Sequence, residues 1–213
     1  MPIRAVFFDA GETLISEDRQ WGMWADWLGV PRHTFFAALG AVIERGEDHR
    51  KVFEYFAPDL DFEQAMRERR RAGREYELAI SDFYPDAADC LKALRARGLA
   101  VGIAGNQPED FEPQLNRLDI EIDHVASSSR WQVSKPSRLF FDKIAQTAGL
   151  HASEIAYVGD RLDNDVLPAA AAGMVAVFLV RGPWAAIQGR RQILPDGIIR
   201  IESLAALPAA LAG

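Results

Sequence analysis

Cysteine is nearly absent. Cys90 stands alone in 213 residues, so no intrachain disulfide can form, and the chain is expected to hold together by burial in a reducing, cytoplasmic setting. Cys90 itself reads as a small buried hydrophobe rather than a nucleophile. Basic charge is also short: Lys and Arg total 24 against 31 Asp and Glu, a net charge of -7 that argues against a nucleic-acid partner. No run reaches the ~18 apolar residues of a membrane-spanning helix. The first residues carry one Arg and then a strand, not the layout of a signal peptide. Repeats, low-complexity tracts and Gly/Ser linkers are missing as well. These absences leave a soluble protein with no membrane and no nucleic-acid partner, expected as a monomer or homodimer.

What is present is a core-forming composition, 49% apolar, ample for a chain of this length. Strand-length apolar runs recur at Ile3–Phe8, Leu99–Ala104, His124–Ala126, Ile155–Val158, Val175–Val180 and Ile198–Ile201. Helical periodicity fills most of the intervals: Asp86–Arg97 ends at Gly98, Ser137–Ala148 at Gly149, and Asp163–Ala172 at Gly173. Strands alternating with helices predict an α/β fold, a Rossmann-like parallel sheet covered on both faces.

The segment 16–81 interrupts that rhythm and holds no convincing strand. Trp21, Trp24 and Leu28 recur at helical spacing, as do Phe35, Phe36, Leu39 and Ile43 after Pro31. Val52, Phe53 and Phe56 form a short cluster, and Phe62–Leu78 reads as one long charged helix. The expected organisation is a core of residues 1–15 and 82–213 with an all-helical insert at 16–81. Within the insert, the tryptophans fit one buried stripe. Arg67, Arg69, Arg70, Arg71 and Arg74, interleaved with Glu68 and Glu75, fit a solvated helix face.

Four strand ends carry polar residues in a set order: Asp9; Gly105 and Asn106; Lys135 before Pro136; and Gly159-Asp160 with Asp163, Asn164 and Asp165 close behind. Open α/β sheets do their chemistry at the C-terminal strand edge. Carboxylates from separate strands make an all-oxygen site suited to Mg²⁺. A lysine beside them can neutralise a phosphoryl oxygen or keep a nucleophile ionised. Asp163 and Asn164 also suit a helix cap.

The stretches Phe8-Asp9-Ala10-Gly11-Glu12-Thr13-Leu14, Ile103-Ala104-Gly105-Asn106, Ser134-Lys135-Pro136 and Gly159-Asp160-Arg161-Leu162-Asp163-Asn164-Asp165-Val166 resemble the four motifs of the haloacid dehalogenase (HAD) superfamily. Tyr84-Pro85 and Ala172-Gly173-Met174 are secondary matches, and the insert sits where that family carries its cap. The resemblance implies a hydrolase, most directly a Mg²⁺-dependent phosphatase of a small phosphorylated metabolite. Asp9 would be the nucleophile that forms an aspartyl-phosphate. Asp160, Asp9 and the Gly11 carbonyl would hold the metal, with Asp165 supporting or joining that shell. Lys135 would bridge nucleophile and phosphoryl group, and Asn106 would bind or position substrate.

Two positions depart from the pattern. Gly11 stands where the family's phosphatases place an acid/base Asp, and Gly105 stands where they place a hydroxyl, although its backbone amide can still donate. A missing acid/base costs about 10²–10⁴ in rate, so the first motif is expected to be atypical. Glu12, one residue on, either swings into the acid/base position or points elsewhere. The departures admit a weakened HAD-fold protein that binds a phosphorylated ligand, or a hydrolase of the 2-haloacid dehalogenase kind. They also admit a phosphonoacetaldehyde hydrolase, although the insert offers only Lys51 for that chemistry.

Overall fold

The computed structural model describes residues 2–189 and 192–212. Six short strands form one wholly parallel sheet: β1 (Ala5–Phe8), β2 (Ala100–Gly105), β3 (His124–Ser127), β4 (Ile155–Gly159), β5 (Val175–Leu179) and β6 (Ile199–Ile201). Their order is β3-β2-β1-β4-β5-β6. Register pairs Phe8 with Ile103 on one side and with Val158 on the other, so the first strand lies at the centre. Its four residues are all buried, as a strand packed on both faces requires. The chain moves outward from β1 in one direction to β2 and in the other to β4. The ends of these strands therefore flank the crevice where ligands enter such sheets.

The helices are α1 (Asp18–Trp27), α2 (Arg32–Glu44), α3 (Phe62–Arg71), α4 (Ala87–Ala96), α5 (Phe111–Leu115), α6 (Ser128–Trp131), α7 (Arg138–Ala148), α8 (Leu167–Ala171), α9 (Gly182–Gln188) and α10 (Leu207–Ala210). Two apolar cores sandwich the sheet. Val6 and Phe8 point into one, with Cys90, Leu91 and Leu94 of α4. Phe7 points into the other, with Phe140, Phe141 and Ile144 of α7. The alternation along β1 thus sends successive side chains to opposite layers. Cys90 is buried, and burial with the nearby Asp86 charge pushes its thiol up to about 12, so it remains an inert neutral filler.

The chain divides into two compact units, one of residues 1–16 and 78–213 and one of residues 17–77. The exit and return strands are tied together at the base of the insert. Ile15 bridges Phe83 antiparallel, Ser16 N–H donates to Asp82 O at 2.8 Å, and Tyr84 N–H donates to Leu14 O at 2.9 Å. Because the ends already meet, about 60 inserted residues cost the sheet little closure entropy.

The inserted unit is all helical. Its core is aromatic: Trp21 faces Phe35 and Phe53, and Trp24 lies 4.8 Å from Phe53 and 5.0 Å from Phe62. Two expectations change here. The charged helix from Phe62 stops at Arg71 rather than Leu78, because Gly73 takes a left-handed φ of 64° and Arg74 N–H turns back to Arg69 O. The arginines of α3 are not all on a solvated face either, because Arg69 is only 2% exposed. In the sheet unit, the helix expected from Asp163 begins instead as a π-helical turn, Leu162–Val166, ahead of α8.

Candidate active site

Three of the four expected strand-end stretches supply side chains to one cluster. Asp9 follows β1, and its N–H is held by Val158 O at 2.9 Å. Asp160 follows β4, and Asp165 returns toward the same edge from the π turn. Oxygens of Asp9, Asp160 and Asp165 all lie within 4.8 Å of one another, and all three residues are buried. Lys135 projects its ammonium between two of them, 2.7 Å from Asp9 Oδ1 and 2.6 Å from Asp165 Oδ1, with no exposed side-chain surface. Burial opposes its charge, but Asp165 and Asp9 overcome that cost and hold Lys135 well above the ordinary lysine range.

The surrounding residues fix this geometry. Asn106 spends its side chain on the Lys135 peptide: its Oδ1 accepts from Lys135 N–H at 2.8 Å and its amide donates to Lys135 O at 3.1 Å. Arg161 N–H donates to Asp165 Oδ2 at 3.0 Å. Two glycines permit the close approach. A Cβ on Gly105 would lie 2.6 Å from Asp9 Oδ1, and one on Gly159 would lie 2.4 Å from Asp165 Cβ. A side chain at either position would require the facing aspartate to shift.

Three carboxylates face one ammonium here, an excess of two negative charges that a divalent cation would neutralise. The donors are all hard oxygens from a pre-arranged, buried edge, which suits Mg²⁺ over softer metals. Asp9, Asp160 and Asp165 are the side chains available to hold such an ion.

A model of the haloacid dehalogenase-like hydrolases matches residues 3–173. The chain belongs to that family. This hydrolase is 36% identical over 210 residues to a glyceraldehyde 3-phosphate phosphatase of Methanopyrus kandleri, covering 88% of each chain. It is also 36% identical over 112 residues to the enzyme of the same name from Methanocaldococcus jannaschii. That match covers 51% of this chain and only about half, 49%, of the relative. Among solved structures it is similar to the magnesium-bound HAD-hydrolase YfnB of Bacillus subtilis, with a TM-score of 0.72, 15% identity and 99% coverage of both chains. That likeness speaks for the HAD fold with its inserted helical cap.

The expectation of an atypical, glycine-for-aspartate first motif is corrected. The nucleophile position of this hydrolase is held by Asp9, which stands within the Asp160–Asp165 cluster beside Lys135. Asp9, the Lys135 ammonium and the carboxylates of Asp160 and Asp165 all stand together there. Glu12 adopts a left-handed φ of 53° and is buried. Its Oε2 accepts from the Tyr84 hydroxyl at 2.7 Å, and both burial and Glu12 raise the Tyr84 pKa.

Sequence reading missed Tyr157 and Arg181 in this neighbourhood and named Tyr84 only as a secondary motif match. Tyr157 on β4 lies under Lys135, with 5.6 Å from Nζ to the ring centroid, and its hydroxyl donates to Ala104 O at 2.8 Å. A phenol tip inside an otherwise aliphatic buried strand was the available signal, since such tips need a partner. Tyr84 and Arg181 stack at 4.1 Å, and Arg181 donates to Thr13 O at 3.1 Å and pairs with Asp86. Nothing in the sequence links these positions, because Tyr84 and Arg181 are 97 positions apart and only the fold closes that gap.

Proposed function

We propose that this HAD-like hydrolase is a Mg²⁺-dependent phosphatase of a small phosphorylated metabolite. The observation that carries the reading is Lys135 Nζ held 2.7 Å from Asp9 Oδ1 inside the buried carboxylate cluster. The ammonium lowers the repulsion between the Asp9 carboxylate and an incoming phosphoryl group. An Asp9 oxygen then attacks phosphorus as the phosphorus–oxygen bond to the leaving group breaks, the departing alkoxide takes a proton from water, and water hydrolyses the aspartyl-phosphate to free Asp9 and inorganic phosphate. A bound Mg²⁺ supplies Lewis-acid stabilisation of the phosphoryl oxygens. Asn106 fixes the height of Lys135 through its peptide group, and Glu12, tied to Tyr84, holds the loop after the nucleophile. The phosphatase names of the 36%-identical relatives support the same reading.

The test is turnover of an aryl phosphate by the purified chain. Activity is expected with Mg²⁺ and not in excess chelator, and Asp9→Asn is expected to lower kcat by about 10³-fold or more, because the nucleophile is removed while Lys135 remains. Activity that survives Asp9→Asn would overturn the proposal.

A further inference from the structure

Arg69 is the anomaly of the helical cap. Its neighbours on α3, Arg67, Arg70 and Arg71, lie in solvent, while Arg69 is 2% exposed. The guanidinium carbon stands 4.0 Å over the Trp24 ring, which itself stacks on Phe62. Nε and Nη2 are both buried and have no hydrogen-bond acceptor among the described residues. These two nitrogens form one edge of the guanidinium plane, the edge with which Arg32 grips Asp26 at 3.0 and 2.6 Å elsewhere in the same unit. Glu75 acts on Arg69 through space, but its oxygens are held by Arg70 Nε at 2.9 Å and Nη2 at 2.5 Å.

Arginine cannot shed its charge to escape burial. A side chain needed only to fill an aromatic core would be better supplied by methionine or leucine, because an unpaired buried cation is destabilising. The tryptophan face behind the guanidinium offsets part of that cost and fixes its plane. What is left is a flat, pre-oriented pair of charge-assisted donors, the arrangement that receives two oxygens of one anion.

We propose that the Nε–Nη2 edge of Arg69, backed by Trp24, is an oxyanion-binding site of the cap that takes the carboxylate or phosphate group of a small ligand. The site is built from the helical unit alone and does not depend on the chemistry assigned to the Asp9 cluster.

Titration of the full chain with malonate and, separately, with inorganic phosphate tests this, followed by tryptophan fluorescence and by calorimetry. Saturable binding of at least one of the two below about 10 mM is expected, and which one binds identifies the oxyanion. Arg69→Met is expected to weaken that binding at least about tenfold. Arg69→Lys, which keeps the charge but loses the fork, should fall between the two. Trp24→Phe should remove most of the fluorescence change while calorimetric binding persists. Arg69→Met should unfold at the wild-type temperature or above it, since an apolar chain replaces an unpaired charge. The proposal is overturned if neither anion binds the wild-type chain. It is equally overturned if Arg69→Met binds as tightly as wild type, whatever its thermal midpoint.

Discussion

At the scale of single residues, Lys135 is the point on which the cluster balances. Its ammonium is fully buried between Asp9 and Asp165, and each of those carboxylates is tolerable inside the protein only because the cation is there. Lys135→Met should therefore destabilise the fold by about 3–5 kcal/mol in urea unfolding at neutral pH, with two carboxylates left facing each other. The pH dependence has a definite sign. The folded pKa of Lys135 lies above its unfolded value, so its contribution is fully present below the ordinary lysine pKa of about 10.4 and declines as pH rises through the folded value. The stability gap between wild type and Lys135→Met should narrow on the alkaline side as the ammonium deprotonates, and on the acid side as Asp165, whose carboxyl burial pushes up to about 6, takes up a proton. A gap unchanged between neutral and strongly alkaline pH would contradict this account. Arg69 offers the contrasting case, a buried cation stacked on an aromatic face, with the Glu75 carboxylate acting only through space.

At the scale of elements, the strands were legible because each is a short apolar run closed by a polar or glycine residue. Every expected strand is found within a residue or two of its bounds. The α7 helix starts after Ser137 and ends at Gly149 in a left-handed conformation, as its pattern predicts. The failures share a cause. In α3 the periodic pattern runs past Gly73, but a left-handed glycine stops the helix whatever residues come after it. At Leu162–Val166 a wider turn brings Asp165 back to the sheet edge, a requirement set by the site and invisible to periodicity. Sheet edges show the same local control. Asp123 N–H donates to Val101 O at 2.8 Å, and Asp123 Oδ2 accepts from Val101 N–H at 2.8 Å, which fastens β3 to β2. Burial works against the Asp123 carboxylate, but the Val101 amide and Arg95 win and lower its pKa. Its contribution is thus present above the ordinary aspartate pKa and lost as pH falls through the lower folded value. Asp123→Asn should cost about 1 kcal/mol or less at neutral pH, given partial solvent screening, and progressively less at acid pH as the carboxylate protonates. Unfolding curves of the two proteins at neutral and acid pH check this.

At the scale of the whole molecule, the carboxylate cluster links metal binding to folding. Mg²⁺ bound by Asp9, Asp160 and Asp165 in the folded chain alone should stabilise it by about 2.7 kcal/mol at 100 times Kd. The thermal midpoint should rise with Mg²⁺, fall back in chelator, and respond much less in Asp160→Asn. An identical response from that variant would place the ion elsewhere. No helix of the described residues is long and apolar enough to cross a membrane. By itself the sequence determined the α/β class, the presence of the helical insert after the first strand and the strand ends that carry Asp9 and Asp160. Those features are written in hydrophobic period and in residue type at fixed local spacing. Only the tertiary structure decided which polar groups meet. It spent Asn106 on Lys135 and Glu12 on Tyr84, placed Tyr157 beneath the ammonium, and buried Arg69 against Trp24 in a helix whose other arginines face water. The physical reason is that burial and pairing depend on residues tens of positions apart in the chain, and a one-dimensional pattern carries no record of such distances.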